Sequence, residues 1–476
     1  MLILGALNLR DNSQTRLSTV ISQWMTYNIL KRTLLAAGIL ILCAAFYIYP
    51  KLSIISGYAA KNMASSVHIA KRSAPSVCDN DHNVLLINLA DTKLDREGDA
   101  VSASVFGLME RRAICRNGLG CTLVNNGPRP AQKHPRPHRT IKVPDLPFPY
   151  GNNDQRDSIF ANVDYELLQK ALDGAFARPE IQKTRTVLVV YKNHIIAERY
   201  SQGMNRATPI LGWSMTKSVF ATFFGILEYQ KKIDVATFRP FMVHGSPGMD
   251  KKDPRTLITL NHLLRMQSGL AWDEDYTSIS DVNKMLFLED DMSRPQAEKE
   301  IVAAPGEIWN YSSGTTNYLS GILRKELGSY QEYLNFPYVA LIDKIGMSSM
   351  LLEVDMAGNF VGSSYGWAST RDWAKFGLLY LHRGNWNGQQ IFAPEWVDYV
   401  TLPTAHSDRI YGAHFRLNAN GRYPNVPRDL FSADGYQGQR IFIIPSKDLV
   451  VVRTGLAEPP DFDVHTFLQD VTASIR

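Results

Sequence analysis

From residue 212 the chain reads Gly-Trp-Ser-Met-Thr-Lys-Ser and runs on through Val219, Phe220, Ala221, Thr222, Phe223, Phe224, Gly225, Ile226 and Leu227. A helix that is apolar on every side has to be buried, so this stretch predicts a core helix inside a sizeable domain. Ser214 and Lys217 stand at its mouth, three residues apart. That is almost one helical turn, which brings an amine beside a hydroxyl. A serine hydroxyl is a weak nucleophile until a neighbour takes its proton. A lysine screened from water can share that task, and the backbone N–H groups at a helix start can hold an oxyanion. Two fixed positions in four arise by chance about once in a chain of this length. The buried helix behind the pair raises the reading, because a solvated polar face does not explain it.

The 476 residues allow two or three domains. With 51 basic and 46 acidic residues the net charge is +5. That is too mild for a nucleic-acid partner, and no basic stripe with interleaved aromatics is present. The four cysteines, at 43, 78, 115 and 121, lack metal-ligand spacing, so neither a metal nor another cofactor is expected. If the body lies outside the cytoplasm, Cys78, Cys115 and Cys121 can supply one disulfide and one leftover thiol. The spacing does not choose the pair, and three unpaired thiols fit as well.

Thr33 to Tyr49 is a charge-free, largely apolar run preceded by Lys31 and Arg32. A basic flank before such a run is the pattern of a signal peptide or signal anchor, and its length is the short end of a spanning helix. No small-x-small cleavage site follows before Pro50, which favours a retained anchor with the body on the periplasmic or outer side. Met25 is an alternative start.

Four regions follow: an N-terminal extension and anchor over 1–50, an accessory region over 51–125, a linker rich in Pro and basic residues over 126–150, and a main domain over 151–476. In the second, Val84–Leu89 reads as a strand and Val101–Arg112 as strand or helix. The third is extended chain, read as a solvated strap or a membrane-surface contact. In the fourth, Asp164 caps a helix to Phe176. Thr186–Tyr191 and Ile195–Tyr200 form a hairpin across Lys192-Asn193-His194. Arg440–Ile444 and Leu449–Arg453 are two further strands, and a last helix covers about Asp461–Ser474. Strands at both ends with helices between predict an α+β domain: one antiparallel sheet flanked by helices, with a helical subdomain inserted.

Two more polar segments stand out. Trp309-Asn310-Tyr311-Ser312-Ser313-Gly314 precedes a helical pattern. A tyrosine there can pass a proton where neighbouring cations favour the phenolate. Ala433-Asp434-Gly435-Tyr436-Gln437-Gly438-Gln439 runs into the strand from Arg440. Glycines at a strand start allow close approach of a substrate or another backbone, and an ordinary turn fits too. Gly435 and Gly438, with Ser313, are the candidate substrate-binding positions.

In order and together, Ser214-Met215-Thr216-Lys217, Ile258–Leu270, Pro305-Gly306, Tyr311-Ser312-Ser313 and Ala433-Asp434-Gly435 resemble the serine β-lactamase and penicillin-binding-protein superfamily. The resemblance covers roughly 180–470 and is nearest the branch of class C β-lactamases, family VIII esterases and 6-aminohexanoate-dimer hydrolases. It implies that Ser214 is acylated, that Lys217 and Tyr311 relay protons, and that the N–H groups of Ser214 and Tyr436 form the oxyanion hole. Two departures matter. Ser313 stands where Asn is frequent, and Ala433-Asp434 replaces a motif that opens with a cation. A carboxylate-bearing penicillin would meet an acidic side chain there. The expectation is therefore a hydrolase of a small ester or linear amide. A β-lactamase or D-alanyl-D-alanine carboxypeptidase is the first alternative, and a non-catalytic membrane-anchored binding protein the second.

Overall fold

The computed structural model describes residues 4–96, 99–124, 135–141, 144–155, 158–244, 250 and 252–476. Its centre is a six-stranded antiparallel sheet. The strands lie in the order Arg416–Leu417, Phe431–Gly435, Gln439–Ile444, Leu449–Gly455, Thr184–Tyr191, His194–Tyr200. The two chain ends of the domain thus share one sheet, as the strand pattern predicts. Lys192 and Asn193 both take positive φ, 47° and 65°, as a two-residue hairpin turn requires.

Residues along the central strands alternate between two cores. Leu188, Val190, Ile441, Ile443, Val450 and Val452 face one layer, with the helices Met215–Tyr229 and Thr370–Leu381. Val187, Val189, Phe442, Ile444 and Val451 face the other, with Tyr165–Phe176 and Val464–Ala473. Both faces are covered, so the strands read as continuous apolar runs. Asp164 caps its helix by accepting from the Leu167 N–H at 3.0 Å.

The helix from Met215 is buried at every residue from Met215 to Leu227, as its composition demands. Gly225 is one reason it fits: a Cβ there would lie 2.5 Å from the Trp396 ring.

The accessory region differs from its sequence reading in detail. Val84–Leu89 is not a strand; a short helical turn covers Ile87–Leu89, and the strand is Ala90–Leu94. Val101–Arg112 resolves into two strands, Ala100–Val105 and Leu108–Arg116, which join Ala90–Leu94 and Gly120–Val124 in a four-stranded antiparallel sheet. Cys115 and Cys121 pair in a disulfide, and Cys43 and Cys78 are exposed free thiols.

One helix spans Leu4–His68, so the boundary expected near residue 50 falls inside a continuous element. Its C-terminal part lays Ala59, Ala60, Met63 and Ala64 on Val101, Ala103, Ala113 and Leu123, in a core that also holds Trp213, Tyr365 and Trp367. The run 33–49 lies on the same helix, with Leu34, Leu35, Ile39, Leu40 and Phe46 exposed. Among the described residues no helix is long and apolar enough to cross a membrane. The side chains at 41, 42, 44, 45 and 48 lie outside those described.

Of the Pro/basic linker, 125–134 and 142–143 lie outside the described residues. The remainder is not a merely solvated strap. Arg139 pairs with Asp343 at 2.6 Å, donates to the Met350 carbonyl at 2.8 Å and lies 4.7 Å from the Tyr338 ring centroid.

Candidate active site

Ser214 caps the buried helix with its backbone, and its side chain makes no capping bond. The hydroxyl is thereby left to Lys217, whose Nζ lies 2.9 Å away. The turn is tight. Trp213 has φ 47°, unusual for a bulky residue and typical of strain stored at functional sites. A Cβ at Gly212 would lie 2.4 Å from the Trp373 ring. Trp213 is held by Tyr58 from the accessory helix, stacked at 6.3 Å and 14°, and by Tyr436, edge-on at 5.6 Å.

Lys217 is 1% exposed. An ammonium has three donors, and all three find oxygens: Ser214 Oγ at 2.9 Å, Ser313 Oγ at 2.8 Å and the Ser363 carbonyl at 2.9 Å. Ser312 and Ser313 divide their roles. Ser312 caps the helix Ser313–Glu326 by accepting from the Thr315 N–H at 2.9 Å, while Ser313 turns to Lys217.

Tyr311 presents its ring, 5.1 Å from Lys217 Nζ. No hydrogen bond joins it to Ser214 among the described residues. Catalytic hydrogen bonds commonly tighten only with substrate in place.

Two residues that the sequence reading missed complete the cluster. Glu274 accepts from Trp272 Nε1 at 2.6 Å, from the Ser313 N–H at 2.8 Å and from the Ser313 hydroxyl in a short hydrogen bond. Arg416 lies 4.7 Å from the Tyr311 ring centroid and 5.3 Å from that of Tyr411. Ser214, Lys217, Tyr311, Tyr411, His414, Arg416 and Asp434 line a cavity of about 10 Å³. His414 is neutral there. Burial holds its imidazole down to about 3; its Nδ1 pairs with the Leu264 carbonyl and its Nε2 with the Thr316 hydroxyl.

The third segment closes the other wall. A Cβ on Gly435 would lie 2.1 Å from the Gly212 carbonyl, so this glycine brings the strand end against the turn before Ser214. Tyr436 follows it, beside Trp213 and stacked on Tyr276 at 4.8 Å. Gly438 does not face this space. Its N–H donates to Glu458 at 2.9 Å and its carbonyl accepts from Arg453 at 3.0 Å, so its role is in the turn, and the substrate-binding expectation for it is corrected. Ser313 is likewise turned to Lys217 and Glu274. Asp434 is not a bare negative charge: Arg440 lies 3.4 Å from it, and Ser432 Oγ donates to it at 2.6 Å.

A serine capping a buried helix, a lysine one turn on, a Tyr-x-Ser loop and a glycine strand end meet at one point of the sheet. The family model for Beta-lactamase matches residues 170–471. The chain belongs to the Beta-lactamase family. Among solved structures, a Bacillus anthracis protein assigned as a 6-aminohexanoate-dimer hydrolase is similar at 20% identity. It covers 63% of this chain and 80% of its own, with TM-score 0.53. A Bacteroides dorei DSM 17855 protein assigned as a β-lactamase is similar at 14% identity, covering 66% and 99%, with TM-score 0.53. EstCE1, a hydrolase with promiscuous acyltransferase activity, is similar at 14% identity, covering 65% and 97%, with TM-score 0.52. These likenesses place the α+β fold of the family; the accessory sheet precedes the matched residues.

Proposed function

We propose that the chain is a serine hydrolase that forms an acyl-enzyme on Ser214 and acts on a small ester or linear amide. The observation that carries the reading is the buried Lys217 ammonium group, hydrogen-bonded at once to Ser214 and Ser313. In the mechanism, Ser214 Oγ attacks the acyl carbonyl while Lys217, with Tyr311, accepts its proton and returns it to the leaving group. The N–H groups of Ser214 and Tyr436 receive the oxyanion. Water then attacks the ester by the same relay in reverse.

Three features support the substrate class. Ala433 is 1% exposed and leaves the third motif without its cation. Trp213, Tyr276 and Tyr436 form an aromatic wall suited to an acyl chain. Arg416 supplies a cation on the neighbouring strand, which admits a linear amide with a distal carboxylate and gives the β-lactam alternative its one structural argument. Nitrocefin, p-nitrophenyl butyrate and the 6-aminohexanoate dimer should be assayed side by side with wild type and Ser214→Ala. Ester or amide turnover that disappears in the variant is expected. Efficient nitrocefin turnover without either would return the chain to the β-lactamases, and equal rates in both proteins would favour the binding-protein alternative.

We also propose that residues 33–49 tether the body to the outer face of a cytoplasmic membrane. The charge-free run, its basic flank and its exposed leucines support this.

A further inference from the structure

Glu274 has no role in the relay just described, yet it is one hydroxyl away from it. It follows Trp272 and Asp273 and precedes Asp275 in a loop. In the structure its carboxylate is turned inward, against the first residue of the helix Ser313–Glu326. Oε2 accepts from Trp272 Nε1 and from the Ser313 N–H, at 2.6 and 2.8 Å. Oε1 accepts from Ser313 Oγ, with Tyr276 OH at 3.4 Å. Ser313 Oγ in turn accepts from Lys217 Nζ at 2.8 Å. An ammonium, a hydroxyl and a carboxylate therefore stand in one unbroken chain.

This arrangement resolves a difficulty of the site. Lys217 is buried and uses all three N–H bonds on protein oxygens, so as an ammonium it has no lone pair with which to receive the Ser214 proton. A buried charge also requires a partner. No carboxylate lies within ion-pair distance of Lys217 among the described residues; Glu274 is the one joined to it through a single hydroxyl. Asp434, which lines the same cavity, is occupied by Arg440.

We propose that Glu274 is a positioning and proton-holding residue, which accepts the Lys217 proton through Ser313 and so leaves Lys217 a neutral amine able to act as base. The proposal rests on the serine-hydrolase reading of the site. The step balances. An N–H bond of Lys217 breaks as its proton bonds to Ser313 Oγ, and the former Ser313 O–H proton bonds to Glu274 Oε1. The products are an amine, an unchanged serine and a carboxylic acid, so one positive and one negative charge disappear together. The amine then takes the Ser214 proton during attack and passes it to the leaving group. It next takes a proton from water and returns it to Ser214 Oγ. When turnover ends the proton on Glu274 goes back by the same route.

The groups facing this chain from the packed elements are Tyr276, Tyr311, Tyr411, His414 and Arg416. Burial drives the phenols of Tyr276 and Tyr411 well up, and burial holds His414 down to about 3. Arginine stays charged. Tyr276, Tyr411, His414 and Arg416 do not change charge between about pH 6 and 8, so the exchange between Lys217 and Glu274 can be read there without them.

The test is the pH profile of kcat/KM for p-nitrophenyl butyrate, together with the rate of fluorophosphonate labelling, over about pH 6 to 8. The internal exchange releases no proton to solvent, so wild type should be flat. In Glu274→Gln the amide cannot accept a proton, and Lys217 must release its own to water. Log kcat/KM should then fall by about one per pH unit on acidification, as a single required deprotonation dictates. Ser313→Ala should show the same limb with Glu274 still present, and Ser313→Thr should restore the flat profile. A flat profile in both Glu274→Gln and Ser313→Ala, whatever their absolute rates, would show that Glu274 only holds the loop and would overturn the proposal. Fluorophosphonate labelling of Glu274→Gln at about pH 9 reports a folded site, and Ser313→Ala keeps the question decidable if that variant does not fold. Wild type that is not labelled at Ser214 would instead overturn the serine-hydrolase reading itself.

Discussion

Lys217 is buried with its Nζ against three protein oxygens, and the residues around it bear the consequence. Lys217→Ala and Tyr311→Phe should each lower kcat/KM by on the order of a hundredfold if they carry protons in the transition state; losses below about threefold in steady-state kinetics would contradict those roles. His414 allows a separate test at this scale. Its folded value, about 3, lies below the 6.5 of an ordinary imidazole. Between those values the unfolded chain binds the additional proton, so stability rises with pH and is lost as the pH falls. Wild type should lose about 2 kcal/mol between pH 7 and pH 5 that His414→Asn does not lose, read from urea midpoints at the two pH values. Equal losses in both would contradict the buried neutral imidazole. The clustering of Ser214, Lys217 and Tyr311 was legible because each sits where a helix begins or just before one. Glu274 and Arg416 were not. Glu274 is one of several acids in a short loop, Arg416 opens a two-residue strand, and both join the cluster through contacts distant in sequence.

At the scale of elements, the helix Leu4–His68 packs against the turn that carries Ser214. Tyr58 stacks on Trp213, the residue before Ser214. Three residues on, Lys61 reaches Glu353 at 2.6 Å, both side chains nearly sealed from water. Ser65 Oγ, the Cys121 N–H and Trp367 Nε1 also donate to that carboxylate, at 2.8, 2.7 and 2.7 Å. Removing one partner leaves the other charge buried and unpaired, so Glu353→Ala should cost about 3–5 kcal/mol by urea unfolding. The pair Lys61→Met with Glu353→Gln should recover most of that loss. If Glu353→Ala costs under about 1 kcal/mol, this ion pair does not hold the two parts together. The main sheet was legible from both ends because its strands are apolar runs covered on both faces. The accessory sheet was not, since Ala90–Leu94 reads Ala-Asp-Thr-Lys-Leu and is an edge strand half open to water. Its apolar neighbour Val84–Leu89 drew the expectation instead. The disulfide joins the two cysteines brought together where Leu108–Arg116 pairs with Gly120–Val124, a register that spacing alone does not reveal.

At the scale of the whole molecule, the described residues form a Beta-lactamase-family body with a long N-terminal helix that packs against Trp213 and extends beyond it. If residues 33–49 are an anchor with Lys31 and Arg32 inside, protease added to intact spheroplasts should digest the body. A body that survives until lysis would contradict that topology. The extent of the main domain was legible because its buried helix and apolar strands differ sharply in composition from the Pro-rich stretch before it, whereas the boundary expected near residue 50 falls inside the helix Leu4–His68. The contact between the helix Leu4–His68 and the turn before Ser214 was not legible, because it joins Tyr58 to Trp213, residues far apart in sequence. The central claim is that Ser214 is the group that becomes acylated. Reaction of the full-length protein with a fluorophosphonate, followed by intact-mass and peptide-mass measurement, tests it most directly. The account predicts one adduct per chain, on the peptide containing Ser214, and none in Ser214→Ala. Undiminished labelling of Ser214→Ala, or a wild-type protein that remains unlabelled, would contradict it.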